Sequence, residues 1–221
     1  MTKDEKIKSE ELLSKLRLAN ISVRKNYPNV ELVDSNLGVG LTTNQIQKLI
    51  DENVPYNFIV PHNHFFGYCL KWKSVLESGV EANGSVKIMN LHEIFQDWKG
   101  QTYFDNTPED NIFRDFKIVD FFYDEYACGI LFGKQKDFTF YYGELNGSGL
   151  KSLDLDINGY IEMMIYSKGY SHWQTGILDL LYGYNLANLT EMKENMPKLF
   201  PDWNWEGYVQ KFDELRLHKV K

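Results

Sequence analysis

Only two cysteines, Cys69 and Cys128, occur in the 221 residues. Both lie in apolar stretches, GYCLKW and YACGILF, which reads as buried reduced thiols, since a disulfide framework needs more cysteines. Long apolar runs are missing too, and none approaches the roughly 18 residues of a transmembrane helix. The opening MTKDEKIKSEELLSKLRLAN has no apolar core of the signal-peptide kind, so a cytoplasmic location is expected. Basic charge is scarce. Twenty-four Lys and Arg stand against 31 Asp and Glu, a net charge of −7. That balance lacks the basic footprint a nucleic-acid or anionic-membrane binder needs, and suits a basic partner better. No G-x-S-x-G elbow and no C-x-x-C pair is present. The glycines of GELNGSG precede Lys151 and Ser152, but at the wrong spacing for a phosphate loop, so they read as turn residues.

What is present is globular. Hydrophobic residues make up 43% and aromatics 15%, enough for one substantial core in a chain of this length. With no repeat, low-complexity tract or linker, a single domain over residues 1–221 is expected. Residues 4–18 read as a charged helix with a narrow apolar stripe, packing at the periphery. Thr42 and Gln45 form a T-x-x-Q capping box, with Leu41 and Ile46 as a hydrophobic staple, and that helix stops before Pro55. A second helix is expected after Pro61, carrying Phe65, Phe66, Cys69, Leu70 and Trp72. A short strand then covers residues 86–89, followed by a helix with Leu91, Ile94, Phe95 and Trp98 on one face and a polar loop over 100–111.

From Phe113 to Leu153 the pattern is that of strands joined by tight turns. Phe138, Phe140 and Tyr142 alternate along one face, and turns fall at 133–136 and 146–149. The last third returns to helices, one carrying Met192, Met196 and Leu199 with Pro197 near its end, and one capped by Asp202. Helices, a hairpin-built antiparallel sheet, and helices again make an α+β fold, with helices from both ends of the chain packed on the sheet.

Three groups invite a chemical reading. Asp154, Asp156, Asn158 and Gly159 spell the start of a calcium-binding EF-hand loop, with Glu162 at its ninth position. The twelfth position, where a bidentate carboxylate is required, is Ile165. The competing reading is an amphipathic helix through Ile157, Tyr160, Ile161, Met164 and Ile165, capped by Asp154 or Asp156 and stopped at Gly169. The helix accounts for more residues. His62 and His64 form an H-x-H pair, with His92 and His172 elsewhere. With a nearby carboxylate they would suit a metal-dependent hydrolase if they lay on a strand or loop. Asp120, Asp124 and Glu125 in VDFFYDEYACG read as an acidic strand end facing solvent, fit for docking a basic protein. No constellation assigns catalytic residues or a cofactor.

The segment Gly40-Leu41-Thr42-Thr43-Asn44-Gln45-Ile46, a proline-containing break, and Leu70-Lys71-Trp72-Lys73 together resemble the opening of SUKH-superfamily (Smi/Knr-type) domains. Those domains open with a G-L-T-x-x-x-I helix and continue with L-P and L-x-x-W-x-N-G. The order of strand, helix and glycine-rich hairpin that follows is also similar, over residues 38–180. Ser74 and Val75 depart from the family's Asn-Gly. The resemblance implies an α+β fold and a protein-binding role without catalytic residues. Many bacterial members look like immunity proteins that neutralise polymorphic toxins, often nucleases, by binding the toxin domain, and fungal members like cell-wall regulators; the acidic balance here suits an inhibitor of basic toxin domains.

Overall fold

The computed structural model describes residues 10–19, 23, 27, 29–38, 40–59, 65–76, 79–134, 136–145, 149–184 and 186–218. In chain order they form helix α1 (10–19), strand β1 (Val30–Asn36), helices α2 (Thr43–Asp51) and α3 (Tyr56–Ile59), strands β2 (Cys69–Val75) and β3 (Glu81–Lys87), and the short helix α4 (Leu91–Ile94). A four-strand run follows, β4 (Phe116–Tyr123), β5 (Tyr126–Phe132), β6 (Lys136–Glu144) and β7 (Gly149–Ser152). Helices α5 (Ile157–Tyr166), α6 (Gln174–Tyr182), α7 (Ala187–Leu199) and α8 (Trp205–Leu215) complete the chain. The strands make two antiparallel sheets, β1-β2-β3 and β4-β5-β6-β7. The fold is α+β with antiparallel sheets.

The expected helix over Phe65 to Trp72 is a correction. Gly67, at φ +86°, adopts left-handed backbone there, which a helix interior does not contain. Beyond it Leu70, Trp72 and Ser74 are buried while Lys71, Lys73 and Val75 are exposed, a period of two. That alternation is the signature of a strand with one covered face. Pro61, the proposed start of that helix, lies outside the described residues.

Elsewhere local rules hold. Thr42 Oγ1 accepts from the Gln45 amide and the Gln45 side chain accepts from the Thr42 amide, closing the capping box of α2. Asp156, not Asp154, caps α5, its Oδ1 accepting from the Gly159 N–H at 2.8 Å. The Gly169 N–H returns to the Met164 carbonyl as α5 ends. The expected Asp202 cap of α8 is a second correction. Asn204 Oδ1 accepts from the Gly207 N–H at 2.7 Å, while Asp202 accepts from the Tyr27 hydroxyl and pairs with Lys168. Asn204 is the residue immediately before α8, so its oxygen reaches the unpaired amides of the first turn.

The two sheets meet at a seam between β3 and β4. Met89 N–H donates to the Val119 carbonyl, and an isolated bridge links Ile88 to Asp120. At this point Asp120 Oδ1 accepts from the Lys87 N–H at 2.9 Å, a side chain standing where a ladder carbonyl would otherwise serve. One apolar cluster runs through both sheets, from Leu12 and Leu16 of α1 to Tyr208 and Phe212 of α8. The α1 helix is therefore anchored in the core, and its Lys15 also pairs with Glu162 of α5.

Candidate partner-binding site

The acidic triplet separates once the strand register is set. Asp120 is fully buried. Its Oδ2 accepts from the Tyr160 hydroxyl at 2.7 Å, and that hydroxyl accepts in turn from Gln174 Nε2 at 2.9 Å. Loss of water raises the Asp120 pKa to about 6, against the pull of its two hydrogen bonds. Asp120 therefore belongs to the seam and cannot face a partner, which corrects its place in the expected docking cluster. Its neighbours on the strand, Ile118 and Val119, are buried as well, because β4 is covered on both faces.

Asp124 and Glu125 do face solvent, at the turn between β4 and β5. The turn is braced from outside. Tyr123 stacks on the His172 ring with centroids 4.7 Å apart and planes 13° apart, while Tyr126 meets the same ring edge-on at 5.5 Å. His172 holds left-handed backbone at φ 59°, and burial lowers its pKa, which keeps the imidazole neutral between the tyrosines. The Leu145 N–H donates to the Glu125 carbonyl, tying the far side of the turn to the end of β6.

A third carboxylate joins Asp124 and Glu125. Tyr126 pairs with Glu144 across β5 and β6, and Tyr142 pairs with Lys151 across β6 and β7. Residues directly opposite in an antiparallel ladder point to the same face. Tyr126, Tyr142, Glu144 and Lys151 consequently share one face, at the sheet end that carries the acidic turn. There they wall a cleft of about 580 Å³ with Thr175 and Leu178 of α6 and Tyr184 beyond it. Gly149, opposite Glu144, also lines the cleft, with φ +112° and open space where a Cβ would stand. Burial drives the Tyr142 hydroxyl well above the usual phenol range, so it stays protonated. Exposed Leu186 also lines the cleft, and exposed Tyr182 lies near Lys151.

This arrangement offers shape, aromatic contact area and carboxylates at one end of the sheet. Tyrosine supplies large contact area at small conformational cost. Sequence reasoning missed Tyr126, Glu144, Lys151 and Tyr184. The available signal was the period of two that puts Tyr142 and Glu144 on one face of β6.

The other expected sites fare differently. His62 and His64 lie outside the described residues. Among the described residues no three His, Cys, Asp or Glu side chains group to hold a metal ion. Asp154 is engaged by the chain's own C-terminal segment. Its carboxylate pairs with Arg216 Nε at 3.1 Å and with His218 Nδ1 at 2.6 Å, and its carbonyl accepts from the Leu217 N–H. Asp156 is spent on the α5 cap. A calcium ion would have to displace both. Cys69 and Cys128 are free thiols. Cys128 is buried, and burial together with Asp34 raises Cys69 to about 11. Among the described residues no helix is long and apolar enough to cross a membrane.

No protein-family model matches the chain, and neither the curated proteins nor the solved structures contain a significant match.

Proposed function

We propose that this protein is a non-enzymatic, cytoplasmic binding domain of the SUKH kind, acting as an immunity-type inhibitor of a basic toxin domain. The observation that carries this reading is the cleft walled by Tyr126, Tyr142 and Glu144, beside the exposed Asp124 and Glu125 on a braced turn. A preformed aromatic and acidic surface suits a polypeptide ligand, because little side-chain entropy is lost when it docks. The net charge of −7 would speed encounter with a positively charged toxin domain. Neither nucleic acid nor membrane is part of the proposal.

The test is protection. Cells expressing any basic toxin domain found encoded beside this chain should survive when the intact protein is co-expressed. They should lose that protection when Asp124, Glu125 and Glu144 are changed together to the corresponding amides. Full protection by the triple variant would sink the assignment of this surface, and no protection by the intact protein would sink the immunity reading.

A further inference from the structure

The ring of His172 is packed among aromatic groups and has no polar partner there. Tyr123 of β4 stacks on it face to face, while Phe122 of β4 and Tyr126 of β5 meet it edge-on at 6.0 and 5.5 Å. Its Nδ1 is buried and has no hydrogen-bond partner among the described residues. The backbone beneath the ring is pinned. The Ser171 N–H donates to the Asn83 carbonyl of β3, and the Thr175 N–H and hydroxyl of α6 both donate to the His172 carbonyl. Only rotation of the side chain can therefore carry the ring away from the tyrosines.

This arrangement accepts a neutral imidazole and resists a charged one. A neutral ring carries one N–H, and an imidazolium carries two. Protonation would put an N–H on Nδ1 at a buried point with no acceptor, a costly state for a donor. Loss of water also lowers the His172 pKa. The stacked Tyr123 face attracts a cation, but it supplies no acceptor in the plane of the imidazole, where Nδ1–H would point. The groups packed against His172, namely Phe122, Tyr123, Tyr126 and Thr175, include no carboxylate. Asp124 and Glu125 lie at the exposed tip of the turn. Asp120, further back on β4, is bonded to Lys87 and Tyr160 in the seam.

We infer that His172 is an acid-opened brace: uptake of a proton swings its ring away from Tyr123 and Tyr126 and loosens the β4–β5 turn that carries Asp124 and Glu125. The contribution of the stack is full above the ordinary histidine value of 6.5 and is lost as pH falls through the lower folded value. The Leu145 N–H on the Glu125 carbonyl then ties the turn without help from the stack. The brace acts on the turn itself, whatever partner the turn meets.

The test is a nuclear magnetic resonance titration of the full chain between about pH 4 and 8, the range in which histidine changes charge. The His172 ring signal should titrate with a midpoint below that of N-acetyl-histidine amide in the same buffer. The Tyr123 and Tyr126 ring signals should move with that same midpoint, and the exchange protection of the Leu145 amide should fall with it. His172→Asn keeps a residue that tolerates left-handed backbone and removes the titrating ring. In that variant the tyrosine signals and the Leu145 protection should already hold their acid-form values at neutral pH. Asp120 titrates in the same range with the opposite sign, so a tyrosine transition that persisted in His172→Asn would belong to Asp120 and overturn the inference. A His172 midpoint at or above that of the reference compound, or tyrosine signals indifferent to it, would overturn it as well. If the variant does not fold, the intact protein still decides, since the His172 ring and both tyrosines are read in the same spectra.

Discussion

The Asp120 carboxylate accepts a 2.7 Å hydrogen bond from the Tyr160 hydroxyl inside the core, 40 residues apart in sequence. With the Lys87 N–H on its other oxygen, Asp120 joins β3, β4 and α5 at one point. A buried carboxylate of this kind is costly alone and tolerable only with its partners in place.

Its protonation makes stability depend on pH. The folded value of about 6 lies above the ordinary 3.8. The folded state therefore holds the proton more tightly than the unfolded chain does. The stabilisation is complete below the unfolded value and is lost as pH rises through the folded one. Asp120→Asn, which keeps an acceptor for the Lys87 N–H, should remove a pH-dependent contribution on the order of 3 kcal/mol between about pH 4 and 6. Tyr160 of α5 and Cys128 of β5 face the same carboxylate, and Gln174 of α6 donates to the Tyr160 hydroxyl; none of them titrates in that window. Asp120→Ala should instead destabilise at every pH by about 1–3 kcal/mol, since two buried donors lose their acceptor. Denaturant unfolding of the three proteins across pH checks both.

The cap of α8 gives a second comparison. Asn204→Ala should cost about 1 kcal/mol at any salt concentration, because a backbone donor of the first turn is left open. Asp202→Ala should cost less, and its effect should shrink as salt is added, because Asp202 acts through the partly exposed Lys168 and Tyr27. Equal losses with equal salt dependence would return the cap to Asp202.

Asp154 supplies a third. Arg216→Ala removes one partner of a carboxylate whose side chain is only 9% exposed, and should lower stability by about 1–3 kcal/mol. Added calcium should leave the thermal midpoint of the intact protein unchanged, because a ligand of the native state would raise it. A calcium-dependent rise would restore the loop reading.

Local signals in the sequence were legible. The capping box at Thr42 and Gln45, the α5 stripe ending at Gly169, and the hairpin run from Phe116 to Ser152 each depend on neighbours within a few residues. Trp72 was misread because the aromatic run before it imitates a helix face, and the break at Gly67 depends on a backbone angle that sequence does not display. Asp120 was misread for a different reason. Its burial comes from the β3–β4 seam, a contact between distant segments, and the β4–β5 register shifts on either side of it. The tyrosine cleft has the same origin, since Tyr126, Glu144 and Lys151 become neighbours only through strand pairing. Asp124 and Glu125 were legible as exposed acids because a tight turn leaves its tip in water.

The central proposal is that the acidic, tyrosine-lined end of the β4-β5-β6-β7 sheet binds a basic toxin domain. Calorimetric titration of any basic toxin domain found encoded beside this chain into the full protein tests it most directly. The account predicts a one-to-one complex with a dissociation constant on the order of nanomolar, weakened by salt and by Glu144→Gln. Absence of binding, or binding indifferent to both salt and Glu144→Gln, would contradict it.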